Sequence, residues 1–244
     1  MIFPQEYTDD RLLDGRVLLR QSRSGFRSGS DAVLLAAACH PPRDGRVLEL
    51  GTGTGAAALT LASRRPDCRI SAVEIQPASV DLARFNIARN CLGGMVEVAE
   101  ADIRALPWPN ARFELVMANP PYFDVGRSRV SPIRARALAR GDGETPLAEW
   151  ARVALGAVKE GGQIVFINRR ERLSEMIEHF SAHGEISVRA LPPATAKPAK
   201  RMLFRLKIGG EGYRELSPLH LHVAGGGPST LAAALLRYGA PIFW

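Results

Sequence analysis

Arg46-Val47-Leu48-Glu49-Leu50-Gly51-Thr52-Gly53-Thr54-Gly55-Ala56 decides the fold of this chain. Val47 to Leu50 is a short apolar run broken only by Glu49, which reads as a buried strand. Gly51, Gly53 and Gly55 follow, and Ala56 to Arg64 then has the pattern of a helix. Glycines let the chain turn sharply and let backbone approach a ligand closely. A strand, a glycine turn and a helix start make a nucleotide-binding corner. Glu74 ends the next predicted strand, Ile70 to Glu74, where a carboxylate can accept both hydroxyls of a ribose. Gly51, Gly53 and Ala56 also fit the dinucleotide fingerprint. The loop by itself therefore specifies a nucleotide and leaves its identity open.

Two features favour S-adenosylmethionine over a pyrophosphate-bearing cofactor. Glu49 stands two residues before the first glycine. A buried carboxylate there needs compensation, which a methionine ammonium and nearby backbone donors could supply, whereas a pyrophosphate would be repelled. Asp102 follows the third predicted strand, Met95 to Ala99. It can accept the amino hydrogens of adenine, with Ile103 against the ring; it reads equally well as a helix-cap aspartate.

Outward from this corner the pattern alternates. A helix is expected from Pro77 to roughly Asn90, with proline in its first turn. Strands are expected at Phe113 to Ala118, Gly162 to Ile167, Ile186 to Leu191 and Met202 to Ile208. Helices are expected at Pro146 to Val158 and Glu171 to Ala182. Such alternation predicts an α/β fold, a mostly parallel sheet with helices on both faces. Ahead of it, Leu12-Leu13 and Arg16 to Leu19 suggest a hairpin across Asp14-Gly15, and Ala32 to Ala38 a short buried helix with an acidic start. Three regions are expected: residues 1–45 as hairpin and helix, 46–208 as the catalytic domain, and 209–244 as an extension with one helical run, Leu231 to Leu236.

Asn119-Pro120-Pro121-Tyr122 lies where the fourth strand of the alternating pattern ends. Ligands of open α/β sheets bind at that edge. An adenine amino group or a glutamine amide is a poor nucleophile, because its lone pair is delocalised. Two acceptors, one per N–H, hold such a group and favour the localised lone pair. Asn119 offers its side-chain carbonyl and Pro120 its backbone carbonyl, and Pro120-Pro121 stiffens the segment. Tyr122 offers a flat face on which a base can stack, worth ~1–3 kcal/mol.

The chain has 244 residues, net charge +7 and three cysteines with no Cys-x-x-Cys. That length can bury a real core. The cysteine pattern argues against a disulfide scaffold or zinc site, and no metal is expected. The start lacks the basic and apolar regions of a signal peptide, and no apolar run approaches a membrane span. A soluble, cytoplasmic protein is expected. The positive charge raises the odds of a polyanionic partner, although a GC-rich genome would give the same arginine excess.

The glycine loop, Glu74, Asp102 and Asn119-Pro120-Pro121-Tyr122 together resemble the class I methyltransferases that methylate amino groups. The resemblance implies a Rossmann-like, seven-stranded sheet whose last strand is antiparallel. The sequence is similar in particular to the bacterial tRNA1(Val) adenine-37 N6-methyltransferase family. Three segments carry this: Phe26 to Leu35, Asn119 to Phe123, and Ala199-Lys200-Arg201-Met202-Leu203. The resemblance implies S-adenosylmethionine as cofactor, held by Glu49, Gly51, Gly53, Gly55, Glu74, Ile75, Asp102, Ile103 and Asn119. It implies further that the segment containing Arg27, Ser28, Gly29 and Asp31 closes over the cofactor's methionine end. The target amine falls to Asn119, Pro120, Pro121 and Tyr122, and the partner implied is RNA, namely tRNA. An anticodon-loop base is already unpaired, so extruding it costs less than from a duplex.

Phe123, Arg127, Arg129, Arg134, Arg136, Lys197, Lys200 and Arg201 could line the substrate side and hold phosphates; as solvated surface charges they need no function. Protein glutamine N5- and ribosomal RNA guanine N2-methyltransferases share the tetrapeptide but usually carry a domain ahead of the first strand, which here begins near Arg46. A nicotinamide-dependent oxidoreductase would need a proton-relay residue, and none is persuasive; a non-catalytic cofactor-binding module is the remaining alternative. His179 and His183 read as surface residues of one helix, His220 and His222 as one face of a strand, and Trp108, Trp150 and Trp244 as packing.

Overall fold

The computed structural model describes residues 6–23, 27–106, 113–121, 145–193, 198–223 and 227–244. A two-stranded antiparallel hairpin, β1 (Tyr7–Leu12) and β2 (Val17–Ser22), precedes helix α1 (Ser30–Ala38). Then follow β3 (Arg46–Leu50), α2 (Ala56–Arg64), β4 (Arg69–Glu74), α3 (Pro77–Arg89), β5 (Val96–Glu100) and β6 (Phe113–Ala118). The chain continues with α4 (Leu147–Ala157), β7 (Val158–Arg169), α5 (Leu173–Phe180), β8 (Gly184–Leu191), β9 (Arg201–Leu216) and α6 (Thr230–Leu236). Seven strands form one sheet in the order β5-β4-β3-β6-β7-β9-β8. Pairs from β5 through β7 are parallel, and β9 runs antiparallel between β7 and β8.

Strand residues alternate between two cores because successive side chains point to opposite faces. Val47, Leu115, Met117, Val165 and Ile167 pack with α1 and α2. Leu48, Leu50, Val116, Ala118, Ile164 and Phe166 pack with α4 and α5. Double-sided burial explains the near-continuous apolar runs. In α1 all residues from Ala32 to Ala38 are buried.

Three local expectations are corrected. Leu13 is not a strand residue: it sits at φ 51 in a 3-10 turn, Leu13–Gly15, fully buried in the core. Core burial holds a leucine in the left-handed region that leucine normally avoids. Helix α5 ends at Phe180, so His179 and His183 do not share it. His220 and His222 are exposed and Leu219 and Leu221 buried, as alternation predicts, yet no strand forms there; His222 makes only an isolated bridge to Pro228. The extension at 209–244, whose role the sequence leaves open, docks on the core. Leu219, Leu221, Ala232, Leu235 and Ile242 join the α1 core. Ile242 N donates to Ala37 O at 2.8 Å and Trp244 Nε1 to Ala38 O at 2.8 Å.

β9 carries a turn that the sequence reading placed outside any strand. Gly209, Gly210 and Gly212 all take positive φ. Before them Ile186 pairs with Leu206; after them Ile186 pairs with Tyr213 and Arg189 with Leu216. The two arms of β9 thus straddle β8 and cover what would otherwise be an open sheet edge. Gly184 is needed at the crossing, since a Cβ there would meet Lys207 O at 2.0 Å.

Candidate active site

The register levels the carboxyl ends of three strands. Leu50 pairs with Val73 on one side and Ala118 on the other. Gly51, Glu74 and Asn119 are each the next residue along. The sheet order reverses between β3 and β6, and the cleft outside the carboxyl ends at such a reversal is where α/β sheets bind ligands.

The glycine loop is held by its own groups. Thr52 N donates to Val73 O at 3.0 Å and Gly55 N to Thr52 O at 3.0 Å. Gly51 (φ 66) must lack a side chain because a Cβ would lie 2.6 Å from Trp150 Cη2. Gly53 (φ 58) faces open space within 4 Å. Trp150 is therefore packing, as expected, and it shapes the loop; Trp108 lies outside the described residues.

Three acids behave differently. Glu49 is 3% exposed. Its Oε2 accepts from Thr52 Oγ1 at 2.6 Å and from Ala58 N at 3.1 Å, so the loop itself supplies compensation that the sequence assigned partly to a ligand. Burial pushes its carboxyl up to about 8 against those two hydrogen bonds. Glu74 accepts one backbone N–H on each oxygen, from Gly53 and from Gln76, both at 2.9 Å. Each oxygen keeps a lone pair for a further donor. Asp102 caps the 3-10 turn Ile103–Ala105, accepting from Arg104 N at 2.8 Å, and its carboxylate is also gripped by the Arg104 guanidinium, which lowers its pKa. Asp102 thus serves as a cap. Ile103 is packed in the core, whereas Ile75 is 59% exposed.

Thr54 Oγ1 is buried without a partner in the same loop. A buried hydroxyl left unsatisfied costs ~1–3 kcal/mol. With the open side of Gly53 and the spare acceptors of Glu74, it fits a loop built for a hydroxyl-bearing nucleotide.

At the β6 end, Asn119 is half-buried, Pro120 buried and Pro121 exposed. Tyr122, Phe123, Arg127, Arg129, Arg134, Arg136 and Lys197 lie outside the described residues.

The segment expected to cover the cofactor is anchored to the hairpin. Arg27 donates to Thr8 Oγ1 (2.6 Å), Asp10 Oδ2 (2.8 Å) and Ser22 O (3.2 Å). Ser28 is clamped by Gln21, whose Oε1 accepts from Ser28 N at 2.7 Å and whose Nε2 donates to Ser28 O at 3.1 Å. Gly29 precedes α1 with nothing within 4 Å of a Cβ position. Asp31 pairs with Arg201, joining a residue assigned to the cofactor with one assigned to the substrate. Lys200 is exposed, and its carbonyl accepts from Arg170 N at 2.9 Å.

Sequence reasoning missed Gln21, Asn86 and Asn90. Asn86 is fully buried. Its Oδ1 accepts from Arg20 N (2.7 Å), and its Nδ2 donates to Arg20 O (3.0 Å) and Thr54 O (2.9 Å). Asn90 exchanges the same pair of bonds with Leu18. Helix α3 thus pairs with β2 through two amides that imitate a neighbouring strand, and ties the hairpin to the glycine loop. The available signal was two asparagines four apart on a predicted helix, hence on one face.

Among the described residues no group of His, Cys, Asp and Glu could hold a metal ion, and no helix is long and apolar enough to cross a membrane.

The chain matches the Methyltransferase small domain family over residues 22–141. It is 32% identical over 196 residues to the tRNA1(Val) (adenine(37)-N6)-methyltransferase of Porphyromonas gingivalis, covering 75% of each chain. It is 30% identical over 217 residues to the enzyme of that name from Aeromonas salmonicida, covering 85% of this chain and 87% of the relative. The crystal structure of a predicted O-methyltransferase from Agrobacterium tumefaciens superposes with a TM-score of 0.72 at 24% identity, over 88% of this chain and 99% of the other. That likeness is one of fold.

Proposed function

The chain belongs to the tRNA1(Val) (adenine(37)-N6)-methyltransferase family, and from that premise we propose that it methylates N6 of an unpaired adenine in tRNA, the anticodon-loop position 37 named for its relatives. It is an S-adenosylmethionine-dependent methyltransferase by family. The observation that carries the reading is the shared level of Gly51, Glu74 and Asn119 at one cleft.

Residues 27–31, Glu49, Gly51, Gly53, Gly55, Glu74, Asp102 and Asn119 would hold the cofactor. Bound there, S-adenosylmethionine supplies a methyl group activated on a positively charged sulfur. The chain's task is then positioning and electrostatics. Asn119 Oδ1 and the Pro120 carbonyl accept the two amine N–H groups, which localises the nitrogen lone pair and aims it at the cleft. Tyr122 stacks on the base. Glu74 accepts the ribose hydroxyls with the oxygens that already bind Gly53 N and Gln76 N. Glu49, whose carboxyl burial pushes up to about 8, would stand as the counter-charge to the cofactor's ammonium, and its ionisation there would release a proton near neutral pH.

The test is incubation with methyl-labelled S-adenosylmethionine and separate pools of unmodified tRNA, ribosomal RNA and protein. Label recovered as N6-methyladenosine from tRNA is the expected result. Label confined to protein glutamine overturns it.

A further inference from the structure

We propose that a cleft beside the hairpin turn, rimmed by Arg11 and Arg237, seats a backbone phosphate of the RNA substrate. The inference rests on reading RNA as that substrate.

Nearly every described arginine already has a partner for its guanidinium. Arg20, Arg65, Arg152 and Arg172 hold acids. Arg64 and Arg189 donate to backbone carbonyls, and Arg46 lies over the Phe113 ring. Arg11 and Arg237 differ. Among the described residues, these two arginines alone make no ion pair, side-chain hydrogen bond or ring contact.

Both line one cleft of about 430 Å³. It opens between the hairpin turn, the first turn of α1 and the end of α6. Arg11 lies in β1 and Arg237 directly follows α6, so the fold brings two unpaired guanidiniums together from opposite ends of the chain. Both are exposed. Leu13, Val33 and Leu236 give the cleft an apolar lining. Asp14 lines it too and bonds neither arginine. One acid against two arginines leaves the cleft positive. The contrast is a second cleft beside Tyr7 and Thr8, whose Arg20 is already bound to Asp9 and lies over Phe85.

An unpaired guanidinium presents a planar fork of donors that matches phosphate oxygens. Two long side chains on one rim can converge on a single phosphate, and the apolar lining suits the sugar beside it. Such a contact fixes the register of the RNA and carries no base readout, which falls to the catalytic turn. No protein acid has to be released for it to form.

Affinity for unmodified tRNA, measured over a range of salt, tests this. Arg11→Ala and Arg237→Ala are each expected to lower the slope of log affinity against log salt by about 0.7–0.9, and the double variant by about twice that. At moderate salt each should weaken tRNA binding about fivefold. Asp14→Asn should tighten it, since the rim loses its acid. Arg43→Ala removes an equal charge from a side chain that is 89% exposed and outside the cleft, and should leave the slope unchanged. Thermal melts check folding, and Arg11→Gln and Arg237→Gln, which keep most of the side-chain length, replace any alanine variant that melts early. A double variant with the wild-type slope, or a loss equalled by Arg43→Ala, overturns the proposal. So does saturable binding of inorganic phosphate that the double variant abolishes while its tRNA affinity stays at the wild-type value, because the cleft then takes a free anion. If the wild-type protein binds no tRNA, the RNA reading fails together with the cleft, a result distinct from variants that bind as wild type does.

Discussion

The two halves of the sheet's carboxyl edge carry opposite charge and find their partners at different distances along the chain. On the β3–β5 side, Glu49 is served by Thr52 and Ala58, Glu74 by Gly53 and Gln76, and Asp102 by Arg104. All but one of these partners lie within nine residues. On the β7–β9 side, Arg169 and Arg172 pair locally with Glu171 and Glu175, but Arg170 pairs with Glu215 at a separation of 45 and Arg201 with Asp31 at 170. The acidic half is wired to backbone N–H groups and keeps acceptor capacity for a small ligand. The four arginines of the basic half are paired, two with neighbouring acids and two with distant ones.

The comparison breaks most visibly at Asn119, where the halves meet. Asn119→Ala should lower single-turnover methyl transfer about 10²–10³-fold, a larger loss than any it causes in cofactor affinity. Turnover that survives would mean the amine sits elsewhere. The next largest effect separates two glycines of the acidic half. Gly51→Ala should destabilise the fold by about 2–3 kcal/mol, from left-handed strain and overpacking on Trp150, and lower Tm by several degrees. Gly53→Ala, with open space before it, should cost less stability and more cofactor affinity; the opposite ranking in melts and titrations would reverse their roles.

Glu49 gives a smaller effect with a defined sign. Its folded pKa of about 8 lies above its ordinary value of 4.5. The folded state therefore holds a proton that the unfolded chain has released. That contribution is complete below about pH 4.5 and is lost as pH rises toward 8. Denaturation across this window should show stability falling with pH, and Glu49→Gln should flatten the fall by on the order of 1 kcal/mol per pH unit. A profile identical to wild type would place the proton elsewhere. The smallest effect concerns the basic half. Lys200→Ala should reduce the salt slope of tRNA binding by about 0.7, whereas Arg170→Ala, already paired with Glu215, should leave it unchanged.

Much of this was legible before any coordinates. The apolar runs at 47–50, 70–74 and 113–118 had to be doubly buried strands, and the glycine loop and Asn119-Pro120-Pro121 had to stand at their ends. Side-chain alternation and backbone hydrogen bonding act over a few residues, so a linear reading reaches them. The arginines were not legible as paired or free, because nothing in the chain near Arg201 points to Asp31. The amides of Gln21, Asn86 and Asn90 were missed for the same reason: each satisfies backbone groups of an element far away in sequence, and an asparagine on a helix carries no local mark of that duty. The docking of the tail at 209–244 was not legible, because its glycines and polar residues hide the apolar positions, Leu219, Leu221 and Leu235, that insert into the core.

The amino-acid sequence by itself determined the alternating sheet, the glycine corner after β3 and the Asn-Pro-Pro turn at the end of β6, since each depends on residue types at short fixed spacing. Only the tertiary structure decided that Glu49 accepts hydrogen bonds from Thr52 and Ala58, that Arg201 pairs with Asp31, and that the tail closes the sheet's edge. Those outcomes depend on which charges and unpaired backbone groups are buried side by side, and burial is a property of the packed chain.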